Sequence, residues 1–229
     1  NTDFIDNAGG VDCSDHEVNI KICLDELMSS GQLALNERNE LMRSMTDEVA
    51  QLVLNNIQRQ TQALSFAANE VKSRMAEYVR FMEELERQGR LQRRLEFLPS
   101  AKALAERSHL TRPELAVLLS YAKVMLKDVL CVPAIYDDPY LAQVALGAFP
   151  HSLQERFPEA LARHRLRPQL VATQLANEMV NNLGITTPQR LKETSGANWV
   201  ELARAYTATA SQSSPCMRPS APRMDRHNA

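Results

Sequence analysis

Apolar residues recur at helical spacing in one segment after another of this chain, and the polar residues between them carry helix start and stop signals. Thr46-Asp47-Glu48 is an acidic helix start, followed by Val49, Leu52, Val53 and Ile57 on one face. Phe66, Val71, Met75, Val79, Met82 and Leu85 form a second stripe, which predicts one long helix over residues 63–88, stopped by Gly89. Ser100 reads as a cap after the break at Leu98-Pro99. Thr111-Arg112-Pro113-Glu114 is the strongest start signal, with a capping threonine, a proline in the first turn and a glutamate three residues on. Behind it Leu115, Leu118, Leu119, Ala122, Leu126, Val129 and Leu130 form one face. Asp137-Asp138-Pro139 opens a helix that Phe149-Pro150 closes. Residues 170–182 are helical with Gly184 as their stop, and Thr187-Pro188 and Asn198-Trp199 each begin a short helix. Asn177 and Asn181, one turn apart, are expected to bind backbone groups between helices.

The start of the chain mixes two rhythms, because Val18, Ile20, Ile22, Leu24 and Leu27 fit strand and helix spacing alike. Phe4-Ile5 predicts the end of a buried strand and residues 7–10 a turn. Gly9-Gly10, the one adjacent glycine pair, permits positive φ and a close approach to the backbone. Ser14 and Glu17 make the Ser-x-x-Glu capping pattern, which places a helix start near Asp15. A helix N-terminus presents unpaired N–H groups and partial positive charge, and so suits a carboxylate ligand. Ser14 therefore either caps its own helix or donates its hydroxyl to a bound acid; spacing leaves both open. Ser29-Ser30-Gly31 ends this helix, and Asn36-Glu37 leads into a short charged one.

Composition agrees with a mainly α fold: aromatic residues are 5% and only seven glycines punctuate 229 residues. A net charge of −2 offers no field for nucleic acid or an anionic membrane, and acidic residues interleave the arginines of residues 83–94. No apolar run reaches the roughly 20 residues that span a bilayer. Cys13, Cys23, Cys131 and Cys216 are far apart and read as free thiols of a cytoplasmic protein. Asp12, Cys13, Asp15 and His16 cluster, yet without metal-ligand spacing, so no metal is expected there.

Asn7-Ala8-Gly9-Gly10-Val11 with Ser14 and Glu17 resembles the Asn-Ala-x-Gly-Val-x-x-Ser-x-x-Glu motif of the glutamate dehydrogenase superfamily. The longer wording through Asp12-Cys13-Ser14-Asp15-His16-Glu17-Val18-Asn19 looks like its large-subunit bacterial NAD-specific branch. Leu95-Glu96-Phe97-Leu98-Pro99, Leu110-Thr111-Arg112-Pro113-Glu114-Leu115-Ala116, Asp138-Pro139-Tyr140-Leu141, His164-Arg165-Leu166-Arg167 and Gln174-Leu175-Ala176-Asn177 with Asn181 look like the helical C-terminal region of the same enzymes. The resemblance implies oxidative deamination of L-glutamate to 2-oxoglutarate and ammonia with NAD, and a homo-oligomer when full-length. It implies that Ser14 contacts the side-chain carboxylate of the substrate, that Val11 lines the same pocket, and that Asn7 and Gly9 lie near the cofactor.

Three parts are expected from this: residues 1–45 as the last loop and helix of a glutamate dehydrogenase-type α/β catalytic core, residues 46–210 as a helical C-terminal domain, and residues 211–229 as a disordered or aberrant tail rich in Ser, Pro and Arg. A chain that opens without methionine, inside a site-forming segment, and lacks a Gly-x-Gly-x-x-Gly turn is expected to be an inactive fragment holding no catalytic residue, with NAD bound mainly elsewhere. The family would continue with helix after Ala210, so a truncated or frameshifted end is preferred over a flexible tail. The alternative is a non-catalytic, all-helical interaction or assembly module, and a third option is a relative acting on another amino acid. Residues 7–17 alone separate the enzyme reading from the module.

Overall fold

The computed structural model describes residues 2–107 and 109–213, and among them every regular element is a helix. A single turn, α1 (Asp3–Asp6), runs through Asn7 into α2 (Ala8–Ser29). This corrects the sequence expectation. Phe4-Ile5 is not a strand, residues 7–10 are not a turn, and α2 begins at Ala8 instead of near Asp15. Neither Gly9 nor Gly10 adopts a positive φ. Ser14 lies well inside the helix, and Glu17 pairs forward with Lys21 in place of reaching back to Ser14. Contacts hold the segment at both ends: Ile5 is buried and Gly9 lies against α4, while His16, Ile20, Cys23, Leu24 and Leu27 line one continuous inner face. A fully buried aliphatic side chain contributes about 1.5–3 kcal/mol, against the ~1 kcal/mol of a local cap.

Next come α3 (Leu35–Ser44) and α4 (Thr46–Glu70), the latter starting at its acidic signal. The long helix expected over residues 63–88 is two elements. α4 carries on through Glu70, the chain turns over residues 71–74, and α5 (Met75–Arg87) follows. At the turn the Glu70 carbonyl accepts from the Ser73 and Arg74 N–H groups at 3.1 and 3.2 Å and from Ser73 Oγ at 2.9 Å. The turn lets Tyr78, Phe81, Met82 and Leu85 reach the core together.

Ser100 caps α6 (Ala101–Glu106), its Oγ accepting from the Ala103 N–H at 3.2 Å. The box at α7 (Arg112–Leu130) forms as expected: Thr111 Oγ1 accepts from the Glu114 N–H, and Glu114 Oε2 from the Thr111 N–H at 2.7 Å. α8 (Pro133–Tyr136) leads to a 3-10 helix (Leu141–Ala148), where an α-helix was expected. Its opening is held by Asp138, whose carboxylate accepts from the Tyr140 and Leu141 N–H groups. α9 (His151–Arg156) and α10 (Pro158–Ala162) are short, and α11 (Arg167–Leu183) ends at Gly184 with φ 95°. After α12 (Thr187–Ser195), α13 (Trp199–Ser213) runs beyond Ser211, where the tail was expected to begin. The remainder of that tail, with Cys216, lies outside the described residues.

α7 and α11 pack on each other at the centre, and Leu115, Leu119, Ala122 and Leu126 of α7 and Val171, Ala172, Leu175 and Met179 of α11 are all buried. α11 also packs on the 3-10 helix, and α4 touches α2, α7 and α11. One apolar core runs from Ile5 to Tyr206. Two histidines fasten α2 to the far end of the sequence. The His16 ring bonds through Nδ1 to the Ala148 carbonyl at 2.8 Å, and the His164 ring through Nε2 to the Asn19 carbonyl at 3.0 Å. None of the described helices is long and apolar enough to cross a membrane.

Gly10 tests the redrawn start of α2, because a Cβ there would meet open space. Gly10→Ala should raise the stability of the chain by roughly 0.5–1 kcal/mol, the helical preference for alanine over glycine. A thermal midpoint that stays put or drops would mean the backbone at Gly10 is not helical.

Candidate functional site

With α2 turning once every ~3.6 residues, Asn7, Val11, Ser14 and Val18 fall on one side of it. All four are exposed, Val11 at 74%, and exposed Phe4 lies beside them at the helix start. The helix therefore presents an outward face of apolar side chains around one hydroxyl. Since Ser14 is not at the helix end, its Oγ is not used on the helix's own terminal N–H groups. Three of the four residues expected to form the site thus stand together: Asn7, Val11 and Ser14. Gly9 does not join them. It faces α4, and a Cβ there would lie 3.1 Å from Ile57 Cδ1, so the glycine permits the close crossing of α2 and α4.

A second polar neighbourhood was missed by the sequence reading. α2, α4, α7 and α11 surround an open cleft of about 120 Å³. Asp12 of α2 enters it, held by the Asn56 side chain at 2.9 Å. Arg59 and Gln60 come from α4, and half-buried Lys123 from α7, its Nζ donating to Gln60 Oε1 at 3.0 Å. Gln174, Asn177, Glu178 and Asn181 supply the α11 wall. The expectation that Asn177 and Asn181 bind backbone between helices is corrected: they line this cleft, and Asn181 Oδ1 is buried without a hydrogen-bond partner. The legible signal was the polar stripe 174, 177, 178, 181 on an otherwise apolar helix.

Burial dominates the electrostatics of the cleft. It brings Lys123 down from 10.5 to about 8, with the Arg59 charge adding to the effect and Asp12 opposing it. It also raises the Glu178 carboxyl, against the pull of Arg59. Both shifts express the same fact: charged forms are poorly solvated here.

The Lys123 shift has a sign in stability. The folded chain releases this proton near 8 and the unfolded chain near 10.5, so unfolding takes up a proton between those values. Stability from this group therefore rises with pH across that window. Urea midpoints of the unsubstituted chain should gain on those of Lys123→Met between the two values; a gap that stays constant with pH would refute the buried amine.

Residues 1–67 match the family described as bacterial NAD-glutamate dehydrogenase, catalytic domain, and residues 107–212 match glutamate dehydrogenase, C-terminal. The first match runs past α3 into α4. Proteins named NAD-specific glutamate dehydrogenase from Pseudomonas aeruginosa and Halomonas elongata are 53% and 48% identical to this chain over 210 residues. One from Mycobacterium tuberculosis is 40% identical over 213 residues. These alignments cover 90–91% of the chain and 13% of each relative. The chain thus spans about an eighth of the length of the curated relatives it matches.

Proposed function

We propose that the chain is a piece of a bacterial NAD-specific glutamate dehydrogenase, a reading supported by the matched families and relatives, and that the outward face of α2 is one wall of a site where L-glutamate is oxidised to 2-oxoglutarate and ammonia. The observation that carries this reading is the exposed hydroxyl of Ser14 set among Phe4, Val11 and Val18, within the stretch that matches a catalytic domain. Water-exposed apolar side chains at helical spacing suit the methylene groups of a short dicarboxylic amino acid, and a hydroxyl between them suits its distal carboxylate.

In this reading Ser14 donates to the side-chain carboxylate and Val11 packs against the carbon chain. Asn7 and Gly9, at the start of α2, lie by the nicotinamide. Open space at Gly10 leaves room for a ring to approach beside Asn7, while Gly9 holds the backbone close to α4. The described residues contain no strand and no glycine-rich turn for a pyrophosphate, so this chain fits only the nicotinamide end of NAD. NAD, when bound, accepts the hydride; the residues of this chain bind and orient the acid and exclude water from one side of it. Helices α1–α3 then belong to a catalytic core and the rest, from residue 46, to a helical C-terminal part.

A hydrogen bond from a hydroxyl to a charged acid contributes about 1.5–3 kcal/mol. In an intact enzyme containing this segment, Ser14→Ala should lower kcat/KM for glutamate about ten- to a hundred-fold with KM for NAD unchanged. Glutamate kinetics equal to the parent enzyme would take Ser14 out of the site. The purified 229-residue chain should form no NADH from glutamate and NAD; steady turnover by it would show that a complete site lies within these residues.

A further inference from the structure

The segment between α5 and α6 carries a side chain set against two physical preferences at once. Phe97 is the one non-glycine residue with a positive φ, 53°, among the described residues. It is also 91% exposed, and Leu95 beside it is 67% exposed. The Leu98 N–H bonds to the Arg93 carbonyl at 2.9 Å, a closure that puts Phe97 at the left-handed position where glycine is the usual residue. A Cβ in that conformation crowds the following carbonyl, and a phenyl ring left in water forgoes its burial. Glycine or asparagine would relieve both costs, so local folding does not account for a phenylalanine here.

The segment is braced. Leu91, Arg93, Leu98 and Pro99 are buried on either side of the tip. Tyr121 of α7 donates to Glu96 at 2.7 Å, and Arg93 donates to Glu86 at 2.8 Å. Leu95 and Phe97 therefore stand on a rigid knuckle, and an apolar side chain held ready in this way loses little freedom on contact. Its surroundings are basic. Arg87, Arg90 and Arg93 have carboxylate partners, whereas exposed Arg94 and Lys102, before and after the tip, pair with none among the described residues.

We propose that Leu95 and Phe97 anchor this helical part to another region of the same, longer protein, entering an apolar socket bordered by carboxylates. The inference rests on the reading of the chain as a piece of a larger enzyme. Alignments that cover 13% of each relative leave most of such a protein to supply the socket. A second copy of this segment fits less well, because a two-fold axis at the tip would set Arg94 and Lys102 against the same cations. An anionic membrane is opposed by Glu96, which lies between the two apolar residues.

Hydrogen exchange followed by mass spectrometry over residues 92–99 compares the 229-residue chain with the full-length protein. Exchange there should be about tenfold or more slower in the full-length protein. Phe97→Gly should raise the thermal midpoint of the 229-residue chain by about 2–4 °C as the backbone relaxes. In the full-length protein the same substitution should lower the midpoint and return the segment to fast exchange. Leu95→Ser, which changes no strained backbone, should leave the shorter chain as it was and weaken the full-length protein in the same way. Equal exchange in the two proteins, or a Phe97→Gly effect of one sign in both, would overturn the anchor. Dimerisation of the shorter chain that Phe97→Gly abolishes, or its co-sedimentation with phosphatidylserine vesicles, would name another occupant and overturn it as well. A full-length protein with a protected knuckle and no NADH formation from glutamate would sink the dehydrogenase reading and leave the anchor standing.

Discussion

The placement of α2 depends on two imidazole–carbonyl hydrogen bonds that span the sequence, His16 to Ala148 and His164 to Asn19. They cross-link α2 in both directions, each ring reaching a backbone carbonyl on the opposite partner segment. Only 4% and 3% exposed, both histidines would be costly to leave without these bonds, by about 1–3 kcal/mol for each lost partner. Phe149 stacks tilted on His164 with centroids 5.4 Å apart, so the polar pins sit inside apolar packing. Without them α2 would be held by side-chain burial and by polar contacts at its surface, Asn56 to Asp12 and Arg165 to Glu26.

The interior follows from this anchoring. α7 and α11 pack on each other at the centre and bury alanines, Ala116, Ala122, Ala172 and Ala176, beside their larger apolar residues. α4 then bridges between that pair and α2, and the glycine at position 9 allows it to do so. The polar cleft lies where these four helices meet, and each of them lines it with polar or charged side chains. One helix thus offers two surfaces of different chemistry: apolar with a hydroxyl outward, charged and amide-rich toward the cleft.

What was legible in the sequence was local and periodic. The Thr111–Glu114 box, the Ser100 cap and the Gly184 stop are carried by residues within one turn of each other, and all stand in the structure. The start of α2 was misread because Ser14 and Glu17 make a local capping word, whereas the helix already runs from Ala8, with Ile5 of α1 buried before it and His16, Ile20 and Leu24 buried after it. The turn at residues 71–74 escaped notice because no proline or glycine marks it. Of the expected site, Val11 and Ser14 are found on one face with Asn7, while Gly9 serves a helix crossing. Of the cleft only the polar stripe on α11 was legible, because its other members, Asp12, Arg59 and Lys123, come from three further helices and only folding brings them together.

The 22 residues of α2 make a rod about 33 Å long, fastened near its middle at His16 and Asn19 and again toward its start, where Asn56 of α4 holds Asp12 and Ile57 lies against Gly9. Asn7 lies about 14 Å from His16, beyond the last of these anchors. Where reacting atoms must be aligned, a misplacement of about 1 Å costs about a hundredfold in rate, and anchors spread along the rod are what keep its start from such a drift.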